Sequence, residues 1–196
     1  MDPLKIIRKY YKPGSMAYRL IVTHGRLVQK KAVEIAKLAK KNNPKQKIDM
    51  KFLKEAAMLH DIGVMNVKTL HMGTVGKKDY IYHTTEGRKI LEKEGFPKHA
   101  LVCERHIGVG LTKKEIIRQR LDLPKRDMVP ISIEEKIICL ADKFYTKHPP
   151  KLKIEKSLRE IRATIKRYPG GQLRKFNKLY KELLGEQTKY HQVGIR

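Results

Sequence analysis

Apolar residues recur along this chain at the spacing of one buried helical stripe, and no stretch gives a convincing strand alternation. Pro3 to Tyr11 reads as a short amphipathic helix stopped by Lys12-Pro13-Gly14, with Ser15 capping the next. From Met16 to Lys41 the residues Leu20, Ile21, Leu27, Val28, Val33, Ile35, Ala36, Leu38 and Ala39 keep helical spacing. Thr23-His24-Gly25 interrupts that run. The expectation is a break at the glycine, with Thr23 capping a fresh helix and His24 in its first turn. Asp49 caps a helix from Met50 to His60, with Gly63 as a left-handed stop. Val64 to Tyr82 has no clear period and reads as a loop. Thr85 caps Glu86 to Glu94, Gly95 ends it, and Pro97 opens Lys98 to His106. Thr112 with Glu115 and Ser132 with Glu135 fit capping boxes, opening helices to Arg120 and to about Lys147. Lys151 to Arg196 reads as two amphipathic helices split by Pro169-Gly170-Gly171. The fold class is all-α.

Length permits one ordinary domain, over 1–150, and a helical extension over 151–196 packed on it. Without Trp and with only four Phe among 196 residues, the core must be mostly aliphatic. Charge alters the picture more. Lys and Arg total 45 against 20 Asp and Glu, a formal +25, and the extension alone holds 13 basic and 4 acidic residues. Such a field attracts anions such as nucleotides, nucleic acid or acidic headgroups. A solvated Lys-rich surface explains the charge equally well. Two isolated cysteines, Cys103 and Cys139, make no disulfide framework and read as buried apolar filler. No apolar run reaches membrane-spanning length and the start lacks a signal peptide's apolar core. A cytoplasmic protein with no membrane partner is the expectation.

The candidate chemistry begins at Met58-Leu59-His60-Asp61-Ile62-Gly63, an apolar helix closing on adjacent imidazole and carboxylate. Neighbours on a helix point about 100° apart, so such a pair chelates one ion only where the helix ends. Alone the pair is a weak signal. The set and its order are specific: His24 early, the pair His60 and Asp61, then His83 and His106 near helix ends, then Asp142 within Ile137-Ile138-Cys139-Leu140-Ala141-Asp142-Lys143. Imidazole and carboxylate suit divalent transition metals such as iron, manganese, cobalt, nickel or zinc.

With that set in hand, the sequence resembles the HD-domain metal-dependent phosphohydrolase superfamily, in its His-Asp-Ile-Gly form, from about residue 15 to 150. The resemblance implies an HD helical bundle in which His24, His60, Asp61 and Asp142 bind one metal. Subgroups with a dinuclear centre add two histidines, where His83 and His106 stand, and Asp61 would bridge two ions. This pattern is similar to the HD-type diadenosine tetraphosphate hydrolases. The reaction implied is hydrolysis of a phosphate ester or anhydride of a nucleotide or other small phosphorylated molecule by a metal-activated water. Lys143 is the first candidate to neutralise transition-state charge and Arg105 the second, with Lys77, Lys78 and Arg26 further off. The reading from another class is an RNA- or DNA-binding protein with a structural or vestigial metal site; a nuclease on a polynucleotide lies between them. His71 divides evenly between loop residue and substrate contact. His99, His148 and His191 are expected on the surface, and Met58 and Met65 in the core.

Overall fold

The computed structural model describes residues 1–185, and His191 lies outside them. Helices α1 (Pro3–Tyr10), α2 (Met16–Asn42) and α3 (Met50–Leu59) begin at side-chain caps from Asp2, Ser15 and Asp49. They are followed by α4 (His83–Lys93), α5 (Pro97–Arg105), α6 (Lys113–Arg118) and α7 (Ile133–Asp142). The chain continues into α8 (Leu158–Lys166) and α9 (Gln172–Leu184). Among the described residues no helix is long and apolar enough to cross a membrane.

The all-α reading stands, with local corrections. Val64 to Tyr82 is not a plain loop. It holds 3-10 turns and a small antiparallel ladder, β1 (Lys68–Thr69) against β2 (Thr74–Val75). Helix α2 runs unbroken through Thr23-His24-Gly25. The glycine serves packing instead: a Cβ on Gly25 would sit 3.0 Å from the Met58 carbonyl, so its absence lets α3 lie close. Gly63 has no left-handed backbone. It enters the 3-10 turn Ile62–Asn66, where a Cβ would fall 2.1 Å from the His83 carbonyl and 2.2 Å from the Gly87 amide. Helix α4 starts at His83, two residues before the expected cap Thr85. Helix α7 stops at Asp142 rather than near Lys147. The Thr112–Glu115 capping box forms. At Ser132 only half of one forms, because the Glu135 carboxylate takes the Ile131 amide and Arg105 instead. A further box, Ser157–Glu160, opens α8.

Among the described residues a smaller apolar cluster around Leu111, Ile116, Leu123 and Met128 and two large ones make the core. One joins Val28 and Ile35 of α2, Leu53 of α3 and Ile137 of α7 to Ile161 of α8 and Phe176 of α9. The other joins Ile7, Ile21, Leu59, Ile62, Leu91 and Cys103. Along α2 the second cluster ends at Val22 and the first begins at Val28, with His24 buried between them. The polar site lies at this seam. The break at 169–171 is formed by Gly170 and Gly171 in left-handed geometry, at φ +81° and +70°.

Candidate metal centre

Helix ends place most of the site. His60 is the C-terminal cap of α3, His106 that of α5, and Asp142 the last residue of α7. His83 opens α4 and His24 comes from the flank of α2. Three helix C-termini, with their negative dipole ends, thus meet at one place.

Three of the four histidine rings are oriented alike, while His24 Nδ1 has no hydrogen-bond partner among the described residues. His60 Nδ1 donates to the Ala57 carbonyl at 2.8 Å, His83 Nδ1 to Tyr80 at 2.6 Å and His106 Nδ1 to Cys103 at 2.8 Å. A carbonyl only accepts, so each Nδ1 carries a proton and each ring turns its Nε2 inward. Asp61 stands in the middle. Its Oδ2 lies 2.9 Å from His60 Nε2 and 3.3 Å from His24 Nε2, and Asp142 Oδ1 lies 3.0 Å from His24 Nε2. Its Oδ1 lies 3.4 Å from both His83 Nε2 and His106 Nε2, which are 3.2 Å apart.

Two ligand sets result, sharing Asp61: His24, His60, Asp61 and Asp142, and Asp61, His83 and His106. Within each, all ligand atoms lie within 4.8 Å of one another. The donor chemistry fits divalent cations. Asp61 Oδ1 is buried with no hydrogen-bond donor among the described residues, facing only the Nε2 atoms of His83 and His106. Lone pairs of His83 and His106 face each other with no proton between them. Buried acceptors so arranged are costly unless a positive charge joins them.

Electrostatics agree. Burial lowers the His83 pKa to about 3 and lowers that of His106, so both rings are neutral. Burial opposes charge on His60 too, but Asp61 and Asp142 prevail and raise it to about 9. Burial would raise both aspartates, yet His60 and Lys147 hold Asp61 well below the usual range, and Lys143 and Lys147 do so for Asp142.

The structure thus brings together all six residues expected as ligands. Lys143 Nζ lies 2.7 Å from Asp142 Oδ2 and donates to the His106 carbonyl. Arg105 is bound through one guanidinium nitrogen to both Glu135 oxygens, at 3.0 and 3.1 Å, away from the cavity lining. Lys78 pairs with Glu86, and Lys77 and Arg26 are exposed. His99 is not on the surface: it is buried against Phe52, Phe96 and Glu55. His148 is exposed and its ring stacks on that of His71. Lys147 escaped the sequence reading. Its Nζ sits 2.7 Å from Asp61 Oδ2 and over the Tyr80 ring, and Tyr80 stacks on His83.

A cavity of about 1130 Å³ opens over the site. His83, His106 and Asp142 line it, together with His71, Ile161 and Tyr168.

The profile of the HD domain family matches residues 21–147. The chain is 39% identical over 123 residues to an uncharacterized protein of Methanocaldococcus jannaschii, covering 62% of this chain and 64% of that one. It is 32% identical over 136 residues to a tRNA (cytidine(56)-2'-O)-methyltransferase of Thermoplasma volcanium, covering 69% of this chain and 34% of the relative. With the enzyme of the same name from Picrophilus torridus it shares 35% identity over 124 residues, 63% of this chain and 30% of that one. The chain therefore spans less than two thirds of each of these relatives. No solved structure matches.

Proposed function

Because this chain belongs to the HD domain family, we propose that it is a metal-dependent phosphohydrolase with a dinuclear centre, acting on a phosphate ester or anhydride of a nucleotide. The observation that carries this reading is Asp61, with one oxygen turned to His24 and His60 and the other to His83 and His106. His24, His60 and Asp142 would hold one ion, His83 and His106 the other, and Asp61 both. When bound, divalent ions supply an acidified water and clamp the phosphoryl oxygens. The chain's own part is charge and position. Lys143 and Lys147 reach the site through Asp142 and Asp61 and offer ammonium groups for charge that builds on the phosphoryl oxygens. Carbonyls of Ala57, Tyr80 and Cys103 lock the ligand rings. Arg105 is a supporting residue in this reading, since Glu135 occupies it.

A second reading is favoured by the +25 charge and by relatives named for action on tRNA: the phosphate is carried by RNA. Purified protein is expected to contain about two equivalents of transition metal and to hydrolyse a member of a panel of nucleotides and short RNAs. Asp61→Ala should lose both properties. Wild-type turnover by that variant refutes the proposal, and the preferred substrate decides between free nucleotide and RNA.

A further inference from the structure

The cavity over the metal centre carries cations that the ligand set does not explain. Lys143, Lys147 and Lys156 all line it. The first two are neutralised by Asp142 and Asp61. Lys156 is different. It is half-buried, yet no carboxylate pairs with it among the described residues. The acids around it are engaged elsewhere. Glu155 binds Lys31 at 2.6 Å and accepts from Tyr145. Glu160 closes the capping box on Ser157. Asp142 holds Lys143 and His24.

The backbone fixes Lys156 in place. Its amide donates to the Phe144 carbonyl at 2.8 Å, pinning it beside the turn that follows Asp142. Burial lowers its pKa and Lys143 and Lys147 add to that, while Asp142 and Glu160 oppose it. A half-buried ammonium with no carboxylate partner is stabilised by an incoming anion. A lysine is a compact three-donor point charge, suited to a phosphate oxygen. The space matches more than one such group. At about 1130 Å³ the cavity exceeds the usual range for a small-ligand pocket, about 300–1000 Å³.

We infer that Lys156 binds a second phosphate of the substrate, distinct from the one that reacts at the His/Asp cluster, so that ligands with two or more phosphates are selected over monophosphates. This rests on the phosphohydrolase reading for the first phosphate. The second phosphate belongs either to an anhydride chain, as in a nucleoside diphosphate, or to an internucleotide linkage.

The test is calorimetric binding of ADP, the 5'-phosphorylated dinucleotide pApA and AMP to the metal-loaded protein, with no need for turnover. Lys156→Met should weaken ADP, pApA or both by roughly tenfold, the scale of one charge-assisted hydrogen bond, and leave AMP within twofold. Lys156→Arg should restore much of the loss, and Lys153→Met, at an exposed position, should match the wild type. Loss confined to ADP assigns an anhydride phosphate, and loss confined to pApA an internucleotide one. Unchanged binding in Lys156→Met, an equal loss for AMP, or no measurable binding of ADP and pApA by the wild type overturns the inference. If no substrate is hydrolysed while the Lys156→Met difference persists, the hydrolase reading fails and the phosphate site stands.

Discussion

His60 illustrates how a single residue couples metal and proton. Its Nδ1 proton is held by Ala57, so any proton it gains sits on Nε2, the atom that faces Asp61. With the metals stripped, its pKa of about 9 means that His60 is charged at pH 7. A metal needs the neutral ring, so binding must expel that proton. Metal affinity should therefore rise with pH, by about tenfold per unit below pH 9 for one proton, and level off above it. Titration calorimetry at pH 7.5 in two buffers of different ionisation enthalpy should show one proton released; a buffer-independent heat would contradict it. The six clustered residues were legible in the sequence because their order along the chain carries the pattern. Lys147 was not. It lies five residues past Asp142, in a stretch that reads as continuing helix, and only the end of α7 turns its ammonium back to Asp61. His99 was misjudged for a related reason: Phe52 and Glu55, which bury it, are distant in sequence.

At the scale of elements, close approach of backbones is what holds the ligands in register. Gly63 lets the turn after Asp61 touch the start of α4, and so fixes His83 against the site. Gly63→Ala cannot be accommodated with its Cβ 2.1 Å from a carbonyl oxygen. It should cost about 3 kcal/mol, the upper end for overpacking, and reduce metal content, both readable from a melting curve and metal analysis of one preparation. Gln172 of α9 does a similar job from the other side. Its side chain accepts from the Val109 amide at 2.7 Å and donates to the Gly110 carbonyl, fastening the loop that follows His106. Gln172→Ala leaves that buried amide unpaired, at about 1–3 kcal/mol. A melting temperature equal to wild type would show that the loop is held otherwise. Caps at Ser15, Asp49, Thr112 and Ser132 were readable because they are local. The continuity of α2 through Gly25 was not, since the reason for that glycine is Met58 on another helix.

Across the whole molecule, a strongly basic exterior encloses a site built from carboxylates and imidazoles. The exterior should retain single-stranded RNA at low salt, and binding should fall with a log–log slope of about −2 if three phosphates are contacted. Failure to retain RNA at low salt would remove the polynucleotide reading and leave the metal site untouched. The meeting of three helix C-termini at Asp61 has a consequence of another kind. Each end brings a partial negative charge to a place that already holds two carboxylates, which Lys143 and Lys147 only partly offset, so divalent ions would favour the convergence of these helices. Bound ions would then be part of what makes the folded chain favourable. With free metal at a thousandfold its dissociation constant, mass action adds about 4 kcal/mol to folding. A chelator should thus lower the melting temperature by roughly 8–16 °C, and added metal should restore it. In a cell, the amount of this protein that survives proteolysis would track the supply of the metal it uses, so abundance itself becomes a gauge of metal sufficiency.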